Sequence, residues 1–404
     1  MTPRLTPHLD PTTPIGVLGA GAMGTGIAQV AATHGHPVVV VDASAPALER
    51  SRAAIEKALE REVEKGRLTR ARRDEIVGRL RFSGQSGIGG MDAFADCGLV
   101  VEAIVEGLDA KRDAFARLEG AVPAECVLAT NTSSLSVSAI AAACERPERA
   151  LGVHFFNPAP VMPLVEIVSG VRTAPETLAA TRALVDAWGK TTVLAADTPG
   201  FIVNRIARPF YGESLRLYEE GVADPATIDW ALRDLGGFRM GPFELMDFIG
   251  HDVNFAVTRS VFEAFFYEPR YRPSFAQQRL VDAGLLGRKT GRGFYDYSPG
   301  AAKPEPDTSD RARGEAILDR VLCMLINEAA DAVHLRVASP ADVDLAMTRG
   351  VNYPKGLLAW ADELGVDHVL GTLSALQEEY GEDRYRPSPL LRRMARERRR
   401  FFER

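Results

Sequence analysis

Only four cysteines occur in 404 residues. Cys97, Cys126, Cys144 and Cys323 lie in apolar or helical settings without CxxC spacing, so a disulfide framework is excluded and reduced core thiols in a reducing, cytoplasmic compartment are expected. No HExxH or Cys/His spacing is present either, and no metal is expected. No apolar run is long enough to span a bilayer. The first fourteen residues lack the apolar core of a signal segment and read as a loose tail. Nor is there an excess of positive charge: Lys and Arg number 48 against 54 Asp and Glu, a net charge of −6, which argues against nucleic acid as a partner. These absences leave a soluble protein large enough for about two or three domains.

The first positive signal is a glycine loop, Gly19-Ala20-Gly21-Ala22-Met23-Gly24. It follows a short apolar strand and opens a run of small apolar residues suited to a buried helix. Gly19 suits a tight turn, Gly21 a close approach to pyrophosphate, and Gly24 helix–sheet packing. A second strand, Val38–Val41, ends in Asp42, about 20 residues on, where a carboxylate can accept a ribose 2′-hydroxyl and repel a 2′-phosphate. NAD is therefore the expected cofactor, rather than NADP. Further strands are read at Leu80–Phe82, Gly98–Ala103, Val127–Thr130 and Leu151–Phe155. A charged helical stretch near 45–77 is too long for a plain crossover, so part of it should project. The fold class is an α/β Rossmann-type doubly wound domain, residues 13–197.

At Asp197-Thr198-Pro199-Gly200-Phe201 the pattern turns to long helical periodicity. From there the sequence repeats itself. A shift of 115 matches Glu213 with Glu328, Asp229 with Asp344, Gly241 with Gly356, Asp247 with Asp362 and Gly250 with Gly365, and Arg270–Ser274 recurs unchanged as Arg384–Ser388. Two all-α tandem domains are expected, 198–298 and 311–404, joined by a linker of about a dozen residues that gives an effective concentration on the order of millimolar. They should pack on each other within one chain, with further homo-oligomerisation open. The second copy lacks the Lys289–Tyr295 tail of the first and ends in an arginine-rich run, which reads as a solvated face.

The second chemical signal is His154 in His154-Phe155-Phe156-Asn157-Pro158, with Glu166 twelve residues on. A dinucleotide loop together with a His–carboxylate pair suggests hydride transfer assisted by an acid/base imidazole. The other histidines, His8, His34, His36, His251, His334 and His368, show no evident partner group in the sequence.

Asn131-Thr132-Ser133-Ser134, the His154 and Glu166 motifs, Asp197–Arg205 and Gly241-Pro242-Phe243-Glu244-Leu245 together resemble the 3-hydroxyacyl-CoA dehydrogenase family, over roughly residues 13–297 and, through the repeat, to the C-terminus. The resemblance implies NAD-dependent oxidation of an L-3-hydroxyacyl-CoA to the 3-ketoacyl-CoA, or the reverse, in fatty acid or related metabolism. It implies that His154 is the general base and Glu166 its orienting partner, that Ser133 hydrogen-bonds the reacting oxygen beside the nicotinamide, and that Asn204 helps hold substrate and the His–Glu pair. It assigns cofactor contacts to Asp42, Glu106, Lys111, Ser133 and Lys289, and a CoA-phosphate contact to Lys65. Where the family has a serine assisting that lysine, this chain has Ala58. A superfamily dehydrogenase of a free hydroxy or sugar acid, and a non-catalytic NAD-binding redox sensor, remain alternatives.

Overall fold

The computed structural model describes residues 9–84 and 87–402; His8 and the start of the expected tail lie outside the described residues. The chain forms two compact units, one ending at Thr198 and the other beginning at Pro199. Among the described residues no helix is long and apolar enough to cross a membrane.

In the first unit the described strands are β1 (Ile15–Leu18), β2 (Val38–Asp42), β3 (Leu80–Gly84), β4 (Leu99–Glu102), β5 (Val127–Thr130), β6 (Ala150–Phe155), β7 (Leu164–Ser169) and β8 (Thr191–Ala196). They form one sheet in the order β3-β2-β1-β4-β5-β6-β7-β8. Every neighbouring pair is parallel except β6–β7. The helices are α1 (Ala22–Thr33), α2 (Ala45–Glu64), α3 (Arg70–Gly78), α4 (Leu108–Ala121), α5 (Val137–Ala141) and α6 (Pro175–Ala187). Alternate strand residues serve opposite apolar clusters. Val17, Val40 and Val101 join Ile27 and Ile55, while Leu18, Val41 and Val100 join Phe115 and Leu118. Burial on both faces is why these strands read as nearly unbroken Val and Leu runs.

Two details differ from the sequence reading. The stretch at 45–77 is a pair of helices broken at Gly66, whose φ of +69° suits glycine. In α2 the buried residues Leu48, Ser51, Ile55 and Leu59 recur at helical spacing, and nothing beyond Leu59 is buried. The strands β7 and β8, which the pattern did not mark as sheet, extend the sheet past its parallel part. The β6–β7 connection spans only residues 156–163, too short for a helical crossover, so the chain must return antiparallel.

The second unit contains α7 (Val203–Ile206), α8 (Arg208–Glu219), α9 (Pro225–Trp230), α10 (Pro242–Ile249), α11 (His251–Ala264), α12 (Phe275–Asp282), α13 (Arg311–His334), α14 (Pro340–Gly350), α15 (Leu357–Leu364), α16 (Val366–Tyr380) and α17 (Pro389–Glu397). The repeat is visible in its hydrogen bonds. Asp229 accepts from the N–H groups of Phe243 and Glu244 at 2.8 and 3.0 Å. Asp344 accepts from Leu358 and Ala359 at 2.8 and 2.9 Å. Asp247 likewise accepts from the backbone of Phe294 and Tyr295, and Asp362 from that of Phe401 and Phe402. The arginines of the C-terminal run are exposed, as a solvated face requires. The run leads into an aromatic pair that docks as the first copy's tail does, which the sequence hid because the spacing to that tail differs between copies. The structure also supplies partners for histidines that had none in the sequence: His251 pairs with Asp247 at 2.6 Å, and His36 Nε2 accepts from the Trp188 indole at 2.9 Å.

Within this unit the two copies exchange charges. From Arg320 to Ala332 every residue of α13 is buried, and α8 packs along it. Arg205 donates to Glu328 at 2.5 Å, and its repeat counterpart Arg320 donates to Glu213 at 2.7 Å. Tyr271 donates to Glu328 and Tyr385 to Glu213 in the same reciprocal way. Burial opposes the charge on Glu328, but Arg205 and Arg270 beside it prevail and hold its carboxyl down to about 2.

Glu328→Ala leaves the buried Arg205 guanidinium without its carboxylate, and Arg270 with Asp331 alone, and is expected to cost about 3–5 kcal/mol in urea unfolding. Because the folded carboxyl is depressed below its usual 4.5, its contribution is fully present above that value and is lost as pH falls toward about 2. Wild-type melts should therefore drop across this window, and those of Glu328→Gln should drop less. A chain ending before Ala312 strips α8 of its packing partner and Glu213 of Arg320 and Tyr385. Light scattering should show it dimerising or aggregating.

Candidate active site

The glycine loop joins β1 to α1 at the point where strand order reverses between β1 and β4, where doubly wound sheets open a crevice beyond the strand ends. Gly19 has φ of +110°, and a Cβ there would lie 2.5 Å from the Ala103 carbonyl. A Cβ on Gly24 would strike the Gly19 carbonyl at 1.9 Å. Gly21 differs: nothing lies within 4 Å of its Cβ position, and it starts α1 without a capping side chain. The first N–H groups of the helix thus face open space that an anion can fill. Asp42 accepts from the Ala20 N–H at 2.7 Å and from the Ser44 N–H at 2.8 Å, which fixes its carboxylate at the end of β2. Leu18, Gly19, Gly21, Asp42, Ala43 and Ile104 are among the residues that line one cleft of about 640 Å³. A bare helix terminus, room for a pyrophosphate and an acceptor for ribose hydroxyls in a single cleft fit a dinucleotide. Ala22 and Met23 form the first turn of α1.

Beside this cleft, β4 ends in Glu102, 0 % exposed. Its carboxylate accepts from Lys111 at 2.6 Å, from Thr130 at 2.7 Å and from the Ile104 N–H at 2.7 Å. Lys111, 1 % exposed, also pairs with Glu106 at 3.3 Å. Glu106 in turn gathers the loop after β5. It accepts from the Thr132 hydroxyl at 2.6 Å, the Ser133 N–H at 3.0 Å, the Ser133 hydroxyl at 3.4 Å and the Ser134 hydroxyl at 3.2 Å. Burial works against its ionisation, yet the Thr132 bond and the Lys111 charge prevail and set it below the usual carboxylate range. The far end of this loop is held by Asp197, which accepts from the Ser136 hydroxyl and from the N–H groups of Val137 and Ser138.

His154 and Glu166 face each other directly across β6 and β7. Antiparallel neighbours point to the same side of a sheet, so the twelve-residue spacing becomes a contact. His154 Nδ1 lies 2.6 Å from Glu166 Oε2, and both side chains are buried. The Asn131 carboxamide accepts the N–H of Phe155 at 2.9 Å, tying the loop bearing Ser133 to the strand bearing His154.

The first unit thus brings together Gly19–Gly24, Asp42, Glu106, Lys111, Ser133, His154 and Glu166. Lys65 caps α2, about half-exposed, and pairs with Glu62 at 3.2 Å. Asn204, in α7, and Lys289, paired with Asp252, belong to the second unit. Sequence reasoning missed Glu102, Thr132 and Asp197 as organising groups. The only signal for Glu102 was a carboxylate at the end of an otherwise apolar strand, where a charge needs a reason to be buried.

Comparison with known proteins matches this description. The NAD-binding domain of 3-hydroxyacyl-CoA dehydrogenase matches residues 14–198, and the C-terminal domain of that family matches residues 200–297 and again 317–400. The 3-hydroxyadipyl-CoA dehydrogenase of Escherichia coli (strain K12) is 42% identical over 94% of this chain and 97% of its own length. The 3-hydroxybutyryl-CoA dehydrogenase of Bradyrhizobium diazoefficiens is 41% identical over 72% of this chain and 97% of its own. A crystal structure of 3-hydroxybutyryl-CoA dehydrogenase from Escherichia coli K12 superposes with a TM-score of 0.89 at 40% identity, covering 96% of this chain and 98% of the other.

Because the Cβ of residue 21 meets open space, Gly21→Val should fold normally but block the pyrophosphate. Its thermal midpoint should stay near wild type while its NADH dissociation constant, read by fluorescence titration, rises about tenfold or more.

Proposed function

This chain belongs to the 3-hydroxyacyl-CoA dehydrogenase family, and on that premise we propose that it interconverts L-3-hydroxyacyl-CoA and 3-ketoacyl-CoA, 3-hydroxybutyryl-CoA and acetoacetyl-CoA among them. The chain is an NAD-dependent oxidoreductase: its first unit is the family's NAD-binding domain and its relatives are named as dehydrogenases. The observation that carries the reading is the 2.6 Å contact between His154 and Glu166.

When bound, NAD supplies the hydride acceptor. The chain's own task is to move the proton. His154 Nε2 takes it from the 3-hydroxyl during oxidation and returns it during reduction. Glu166, held on Nδ1, fixes the tautomer and stabilises the imidazolium that forms. A base so placed is worth about 10²–10⁴-fold. Ser133, gripped through its backbone and hydroxyl by Glu106, is the group offered to the reacting oxygen. Lys111 acts as a positioning residue as well as a cofactor-side charge, because its ammonium anchors Glu106. The family resemblance adds Asn204 as a residue that holds substrate. The Gly19–Gly24 loop receives the pyrophosphate, Asp42 the adenosine ribose, and Lys289 a further part of the cofactor.

Recognition of CoA falls to Lys65. Its present partner, Glu62, is a surface carboxylate, and such exposed pairs are worth little, so exchange for a phosphate costs little. Ala58 adds no hydroxyl there, and the contact rests on charge alone.

His154→Ala should lower kcat with acetoacetyl-CoA by about 10²–10⁴-fold while NADH affinity stays near wild type, since the imidazole serves the substrate. Glu166→Gln should also slow turnover. Stopped-flow and NADH absorbance assays read both. Wild-type kcat in His154→Ala, or equal kcat/KM with free acetoacetate, would set the assignment aside.

A further inference from the structure

Within the helical unit one set of equivalent positions carries different chemistry in the two copies. A shift of 115 carries Asn204, Arg208, Val253 and Val257 onto Asp319, Cys323, His368 and Thr372. Every one of the four has changed. In the first copy the set offers an amide, a guanidinium and two valines. In the second it offers a carboxylate, a thiol, an imidazole and a hydroxyl.

These four converge in space. Asp319 and Cys323 lie one turn apart on α13, His368 and Thr372 one turn apart on α16, and the two helices pack together. His368 Nε2 is 2.7 Å from Asp319 Oδ1, and Cys323 Sγ is 3.6 Å from the same oxygen. The Thr372 hydroxyl donates to the other carboxylate oxygen at 3.0 Å. The three ligand-type atoms all lie within 4.8 Å of one another. Ligand bonds of about 2.0–2.3 Å in a tetrahedral zinc site put donor atoms roughly 3.3–3.8 Å apart. The observed separations bracket that range, so small side-chain rotations suffice.

We propose that Asp319, Cys323 and His368 form a binding site for a zinc-class divalent cation, with water in the fourth position. Mixed sulfur, nitrogen and oxygen donors suit borderline metals of this kind better than magnesium or calcium. Thiolate and carboxylate together balance the two positive charges. Thr372 is the second-sphere group that aims the carboxylate, as metal ligands commonly require. Cys323 is fully buried and His368 about half-exposed, so the cation enters from the histidine side. Coordination replaces the S–H bond by a sulfur–metal bond and releases one proton to solvent. The site ties α16 to α13, the helix on which the unit is centred.

The test is titration of Co²⁺ alone into the untagged, metal-stripped full chain. A near-ultraviolet thiolate-to-cobalt absorption band should grow to one equivalent, bleach on addition of Zn²⁺, and vanish in Cys323→Ser. Calorimetry in buffers of different ionisation enthalpy should report about one proton released per Zn²⁺ bound. His368→Gln changes a half-exposed residue, so folding is retained, and affinity should fall about tenfold or more. The proposal is overturned if wild type shows no such band, if the band persists in Cys323→Ser, or if His368→Gln binds Co²⁺ as tightly as wild type.

Discussion

A carboxylate withdrawn from water must be met by donors or positive charge, and this chain is organised around carboxylates so withdrawn. Glu102, at the end of β4, draws Lys111, Thr130 and the Ile104 N–H to one point. Glu166 faces His154 across two strands. Glu213 and Glu328 each collect an arginine and a tyrosine from the opposite copy of the helical repeat. Each acid is a fixed demand, and its partners come from distant parts of the sequence. An alternative register or packing would strand the charge, so these groups select one arrangement even where their net contribution to stability is modest.

In the nucleotide-binding unit the same device becomes a relay of positions. Glu102 holds Lys111, Lys111 holds Glu106, and Glu106 holds the backbone and hydroxyl of Ser133. Asp197 secures the other end of that loop, and Asn131 ties it to the strand of His154. The loop that carries Ser133 is thus braced on several sides by rigid elements, which is what placing a side chain to within fractions of an ångström demands.

Duplication solves a different problem. A helical domain with an apolar face and a buried arginine needs a partner surface, and a second copy on the same chain supplies one with matching charges. Once the exchanged pairs and the Asp229 and Asp344 caps keep both copies folded, positions outside that framework are released from constraint. Asn204 and Asp319 occupy equivalent places on equivalent helices, yet one sits in a family dehydrogenase motif and the other among a thiol and an imidazole. The framework is held in common and the chemistry is not.

How much of this was legible beforehand follows from range. The glycine loop, the strand ending in Asp42 and the parallel strands β1, β2, β4 and β5 are written in local pattern and could be read directly, because period and turn chemistry are properties of neighbouring residues; the helical repeat could be read because a sequence can be compared with itself without knowing any contact. The motif around His154 and Glu166 could be read as a candidate pair, but not as a contact; that required the antiparallel return of β7, which the pattern alone did not mark. Glu102, Thr132 and Asp197 as braces, the docking of Phe401 and Phe402 on Asp362, and the convergence of Asp319, Cys323 and His368 were invisible for one reason. Their partners lie on other elements, and which elements become neighbours is decided by burial of the whole apolar surface at once, not by any stretch of sequence taken alone.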